Sequence, residues 1–218
     1  MAALYSLTRF LVWTALIIGL VIGAARATAL RWVRLPTNDP VLETSVLPTL
    51  EGGDLILLWR LGKPRFGDLV LCPEPGYPER FVIGRIAGES GDQVRIKDSK
   101  ATVNGDAFAI ERSCDPPVFT FLHPDRPSEE VSQQCMWEAI GNHLHMMGGT
   151  GAFKILPEDR QYDVPEGQWF LLSDNRIFPY DSRDYGFVAV DSCNETVIGR
   201  LVSRRGWNDA PRRLTYVQ

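Results

Sequence analysis

Residues 80–92 read RFVIGRIAGESGD, and this stretch decides the fold. Apolar, largely β-branched residues run from Phe81 to Ile86, and Gly91-Asp92 then ends the segment as a turn. That is the mark of a short strand. The pattern repeats outward in both directions. Residues 54–59 (DLILLW), 68–72 (DLVLC), 93–96 (QVRI), 168–172 (QWFLL) and 196–203 (TVIGRLVS) are apolar runs of similar length. Gly52-Gly53, Gly67-Asp68, the 74–78 segment and Asn104-Gly105 separate them. Strands of about four to eight residues between Gly, Pro and Asn breaks predict a mostly β, antiparallel domain. Within 100–107 (KATVNGDA), Asn104-Gly105 with strand residues on both sides predicts a hairpin. After Arg34 no long segment carries the 3.6-residue helical period.

Composition bounds the function. The chain has 218 residues, enough for one domain with a modest lobe and an anchor. Hydrophobic residues at 44% and charged residues at 23% exclude a disordered or collagen-like chain. A formal net charge of -4 leaves no general basic character that would point to nucleic acid. The 4 cysteines form no CxxC pair, which excludes a zinc ribbon or a thioredoxin motif.

The N-terminal segment is different in kind. Residues 10–25 read FLVWTALIIGLVIGAA, with Thr14 the only polar side chain. With the preceding turn this gives about 20 residues, the length needed to cross ~30 Å of hydrocarbon as a helix. The expected organisation is a short tail over 1–9 and a transmembrane anchor over 10–28. A cleaved signal peptide competes with the anchor, because Ala27-Thr28-Ala29 is a small-x-small sequence. Arg26, Arg31 and Arg34 follow the span, and by charge bias alone they would hold that end in the cytoplasm.

Residues 112–160 carry all three histidines (His123, His143, His145), Met146-Met147 and two cysteines, and read as a small lobe inserted in a core formed by 35–111 and 161–218. If the domain is exported, Cys114 and Cys135 are placed to form a disulfide closing a loop of about 20 residues, worth ~3 kcal/mol in the loop-entropy model. The alternative, a Cys/His metal site, has spacings that match no common zinc pattern. Cys72 and Cys193 read as unpaired thiols.

Three segments carry the functional signal: 42–50 (LETSVLPTL), 81–92 (FVIGRIAGESGD) and 173–186 (SDNRIFPYDSRDYG). In this order, behind one apolar span, they resemble the type I signal peptidase family (leader peptidases, serine peptidase family S26) from about residue 7 to residue 203. The resemblance implies a β-rich catalytic domain behind a single-pass anchor in the cytoplasmic (inner) membrane, on its extracytoplasmic side. It implies a serine endopeptidase that removes signal peptides from exported precursors with a serine–lysine pair and no cofactor. Its partners would be those signal peptides and membrane lipid, and an active paralogue if the base is supplied from outside.

On that match Ser45 is the nucleophile, its hydroxyl facing a groove and its backbone N–H serving the oxyanion. Val46 stands where methionine is usual. The lysine position holds Gly84, which has no side chain and cannot be a base. Glu43 stands two residues before Ser45, where relatives have a serine or glycine at the oxyanion hole; in an extended strand it would face the same side as Ser45. A speculative role for Glu43 is as the base itself. Arg85, Asp174, Arg176, Asp181, Ser182 and Arg183 are expected as supporting residues, with Ser182 near the base and Asp181 paired to an arginine. Lys63, Lys97, Lys100, Lys154 and the three histidines read as solvated surface charges. The alternative function is a catalytically impaired homologue acting as a peptide-binding or assembly factor for exported proteins.

Overall fold

The computed structural model describes residues 2–149 and 159–217. It opens with helix α1 (Ala2–Thr28), so the described part of the expected tail belongs to the helix. Within it, Leu7–Thr28 has a mean hydropathy of 2.0 and is long and apolar enough to cross a membrane. Its Leu11, Trp13, Ile17 and Leu20 are all exposed on the protein, so the helix has no protein core to join.

The rest is mostly antiparallel β, as expected. Strand β1 (Leu30–Arg34) leads to a short helix α2 (Pro40–Ser45), then β2 (Leu55–Trp59), β3 (Leu69–Glu74) and β4 (Tyr77–Gly88). A small sheet follows from β5 (Gln93–Lys97), β6 (Lys100–Val103) and β7 (Asp106–Ala107), the last two joined through Asn104-Gly105 at positive φ. Long strands β8 (Ala109–His123) and β9 (Arg126–Ile140) continue into β10 (His143–Gly148). After β11 (Asp159–Asp163) and β12 (Gln168–Leu172) come helix α3 (Ser182–Tyr185), β13 (Val188–Ala189), β14 (Glu195–Val202) and β15 (Thr215–Tyr216). The main sheet runs β1-β2-β14-β3-β4-β12-β13, with β15 on β14. A second sheet is β10-β9-β8 and a third β11-β5-β6-β7.

The centre of the main sheet, β3, β4 and β12, is buried on both faces, which is why these strands read as apolar runs. Alternation assigns each residue to a face. Leu69, Leu71 and Ile83 join Leu42, Val46 and Leu50 in one core cluster, so α2 lies on that face. Val70, Cys72, Val82, Ile86 and Leu171 form a second cluster on the other.

Residues 109–148 form the β8–β9–β10 sheet, so the distinct segment begins in the strand before residue 112. Residues 150–158, also read as part of the lobe, lie outside the described residues. Cys114 of β8 is disulfide-bonded to Cys135 of β9. The reading of Cys72 and Cys193 as unpaired thiols is corrected: they are bonded to each other and fully buried. Their sequence separation of 121 gave no sign of the pairing.

Candidate active site

Ser45 lies at the end of α2, which starts with recognisable chemistry. The Asp39 carboxylate accepts from the Leu42 N–H at 3.1 Å, and Pro40 occupies the first turn, where its missing N–H costs nothing. The helix turns Leu42 and Val46 toward the sheet and carries Ser45 inside with them. Ser45 is 0% exposed, and its hydroxyl donates to the Leu42 carbonyl at 2.9 Å. The expectation of a hydroxyl facing an open groove is therefore corrected. A helical turn, not a strand, brings Oγ back onto the carbonyl three residues earlier.

The same helix corrects the expectation for Glu43. Residues two apart on a helix point in nearly opposite directions, whereas on a strand they share a side. The Glu43 carboxylate sits over Gly52, so close that a Cβ there would collide with Oε2. It borders a cavity with Leu47, Phe121 and His123, between α2 and the β8–β9 turn. Burial raises its pKa, and Arg204 opposes the shift. Nothing in this geometry sets Glu43 against an oxyanion at Ser45.

Position 84 is the second departure. Gly84 pairs with Val70, and a Cβ on it would stand 3.0 Å from the Leu171 Cβ. Val70 and Leu171 belong to the second core cluster, on the face opposite α2. The structure thus does not bring position 84 and Ser45 together: the strand's parity points 84 away. The glycine lets β4 and β12 approach, and nothing wider than a hydrogen fits without movement. Gly84→Ala is expected to destabilise the protein by about 1–3 kcal/mol through overpacking, measured by chemical denaturation. Gly84→Lys is not expected to create a base for Ser45.

The final segment is brought to Ser45 by backbone. The Asn175 N–H donates to the Ser45 carbonyl at 3.0 Å, and its side-chain amide to the Thr44 carbonyl at 3.0 Å. Asp181 caps α3 and forms a capping box with Asp184. Its carboxylate accepts from Ser173 N–H at 2.9 Å and pairs with Arg183 at 2.8 Å. Burial alone would raise the Asp181 pKa, but the Arg183 charge and these hydrogen bonds bring it below the usual carboxylate range. The Ser182 hydroxyl accepts the Leu171 N–H at 2.9 Å, so it stands beside the surroundings of position 84.

Arg85, one residue on from Gly84, points to the α2 face. It is 0% exposed and grips Asp174 through Nε at 2.8 Å and Nη2 at 3.3 Å. The lobe closes over this pair. Arg176 pairs with Glu138 of β9, the Gly148 N–H donates to the Asp174 carbonyl at 2.9 Å, and the Arg176 N–H to the Gly148 carbonyl at 3.0 Å. Thr49 Oγ1 donates to the Met146 carbonyl at 3.1 Å.

Into this network β10 inserts His145, whose Nε2 is 3.3 Å from Glu138 and 3.6 Å from Asp174. It is 2% exposed, which corrects its reading as a solvated surface charge; His123 is also buried. Burial first, then the Arg85 charge, hold the His145 pKa well below 6.5, so the ring is neutral near pH 7. The residue borders a cavity of about 600 Å³ shared with Pro48 and Thr49. By contrast Lys63, Lys97 and Lys100 are exposed, as expected, and Lys154 lies outside the described residues.

Comparison with known proteins gives this arrangement its class. The family model of signal peptidase, peptidase S26, matches residues 7–204, and the chain belongs to that family, as its three motifs led one to expect. It is 29% identical over 156 residues to signal peptidase I of Pseudomonas aeruginosa, covering 64% of this chain and 51% of that protein. With signal peptidase I of Bacillus caldolyticus the identity is 28% over 169 residues, 76% of each chain. With thylakoidal processing peptidase 1 of Arabidopsis thaliana it is 27% over 175 residues, 74% of this chain and 39% of that protein. The chain spans about half the length of the Pseudomonas relatives. A solved signal peptidase I from Enterococcus faecalis shares 21% identity at a TM-score of 0.39, covering 62% of this chain and 97% of that one.

Proposed function

We propose that the protein is a membrane-anchored serine endopeptidase of the signal peptidase I type, removing signal peptides from exported precursors with Ser45 as nucleophile. The observation that carries this reading is the family match over residues 7–204, together with the backbone grip of Asn175 on Ser45. The anchor is Leu7–Thr28 and the domain faces the extracytoplasmic side of the inner membrane. Two disulfides support that side, since they persist in oxidising compartments. They outweigh the charge bias of Arg26, Arg31 and Arg34.

The lobe packs against the Asp174–Arg176 segment, and the Ser45 hydroxyl is held by the Leu42 carbonyl. In the working form the hydroxyl leaves that carbonyl, gives its proton to a base and attacks the scissile carbonyl; the oxyanion is then held by backbone N–H donors, Ser45's own among them. Position 84 supplies no base. We assign the proton to His145, the neutral imidazole that β10 places 3.3 Å from Glu138 and 3.6 Å from Asp174. A neutral imidazole accepts a proton and an imidazolium does not. Cleavage should therefore persist through neutral pH and fall in acid, with a midpoint below 6.5 because the pKa is lowered. His145→Gln should abolish cleavage across the whole pH range. Unchanged cleavage by that variant would remove His145 from the mechanism and leave Ser45 standing. The test of the function itself is incubation of the purified full chain with an exported precursor. N-terminal sequencing should place the cut after a small-x-small sequence, and an intact precursor would contradict the proposal.

Gly84 favours a second reading, a peptide-binding homologue without turnover. That reading expects the precursor to bind and remain whole.

A further inference from the structure

The exit of α1 is crowded with cations. The Arg60 N–H donates to the Ala29 carbonyl at 2.9 Å, and Leu30 pairs with Trp59. The loop over 59–65 (WRLGKPR) is therefore fixed to the end of the apolar helix, one residue past Thr28. In it Trp59 is 39% and Leu61 49% exposed, and Lys63 and Arg65 are exposed as well. Arg31 adds a further half-exposed guanidinium, and Arg26 lies over the Trp32 ring at 3.8 Å.

Among the acids here, Glu195 is shared between Arg31 at 2.7 Å and Arg60 at 3.6 Å, and Asp68 accepts from the Arg65 backbone N–H at 2.8 Å. A hollow of about 460 Å³ opens alongside, lined by Arg31, Arg60, Arg80, Glu79 and Glu195. Arg80 is already paired with Glu74 and Asp39. Cations thus outnumber acids beside the helix exit, and large apolar side chains stand between them. Aromatic rings with Lys and Arg are the composition that settles at the bilayer interface, the rings at headgroup depth and the cations on phosphates.

We propose that the 59–65 loop, with Arg31, is a docking surface for the anionic headgroups of the bilayer that α1 crosses. The proposal rests on the reading of α1 as a membrane span. It accounts for the arginines on the exported side, which charge bias alone would have kept inside. It also fixes the sheet's orientation, since a lipid-bound Trp59 holds the β1–β2 end against the bilayer.

The test uses the full chain in nanodiscs of brominated phosphatidylcholine, with or without phosphatidylglycerol. Tryptophan quenching is compared among the wild type, Trp59→Phe, Trp13→Phe and the triple variant Arg60→Gln, Lys63→Gln, Arg65→Gln. The Trp59 share of the quenching should rise severalfold when phosphatidylglycerol is present, and the triple variant should lose that rise. A Trp59 share that is absent, or equal in both lipids, while Trp13 is quenched would overturn the docking surface alone. An unquenched Trp13 would overturn the membrane span and the docking surface with it.

Discussion

On the proposed mechanism Ser45→Ala is expected to lower the rate of precursor cleavage by about 10⁶-fold, to the background, because removal of the proposed nucleophile leaves only the binding and oxyanion contributions. The loss is readable as chemistry rather than as unfolding. The alanine fits the space, and the hydroxyl's bond to the Leu42 carbonyl is local, worth about 1 kcal/mol. Helix α2 keeps its Asp39 cap and its packing through Leu42 and Val46. Cleavage rates of the two purified proteins on one precursor decide the matter, with denaturation curves as the check on folding. Equal rates would place the nucleophile elsewhere.

Asp174→Ala should produce the largest loss of stability, about 3–5 kcal/mol, because it leaves a buried guanidinium without its partner. Arg85 and Asp174 are 0% and 1% exposed in their side chains, and their contact is bidentate. The remaining polar contact of Arg85 is the Gly67 carbonyl at 3.1 Å, which does not balance its charge. The damage should be specific to breaking the pair. Arg85→Met with Asp174→Leu removes both charges at once and should recover most of the stability, since the pair's attraction is largely cancelled by its desolvation. Chemical denaturation of the full chain in detergent measures both. A double variant as unstable as the single one would show that the side chains serve packing rather than charge.

The β fold was legible because the central strands β3, β4 and β12 are buried on both faces and announce themselves as apolar runs between Gly or Asp turns. The hairpin at Asn104-Gly105 was legible for a local reason, the positive φ that those residues tolerate. Helix α2 was not legible by its period, although its local signals stand in the sequence: Asp39 as cap and Pro40 after it. Six residues are too few for a period to show. The opposed directions of Gly84 and Arg85 follow from strand parity, which sets 84 with Ile86 and 85 with Ile83. The depth of His145 was not legible, because it depends on where the lobe docks. Neighbouring polar residues such as Gln133 and Glu138 are buried by the same event.

The most direct test of the account is covalent. The full chain is incubated with an activated ester of a small-x-small peptide, and the adduct is located by intact mass and peptide mapping. A single acyl group on Ser45, absent in Ser45→Ala, is the predicted result. An unmodified Ser45, or acylation at another residue, would contradict it.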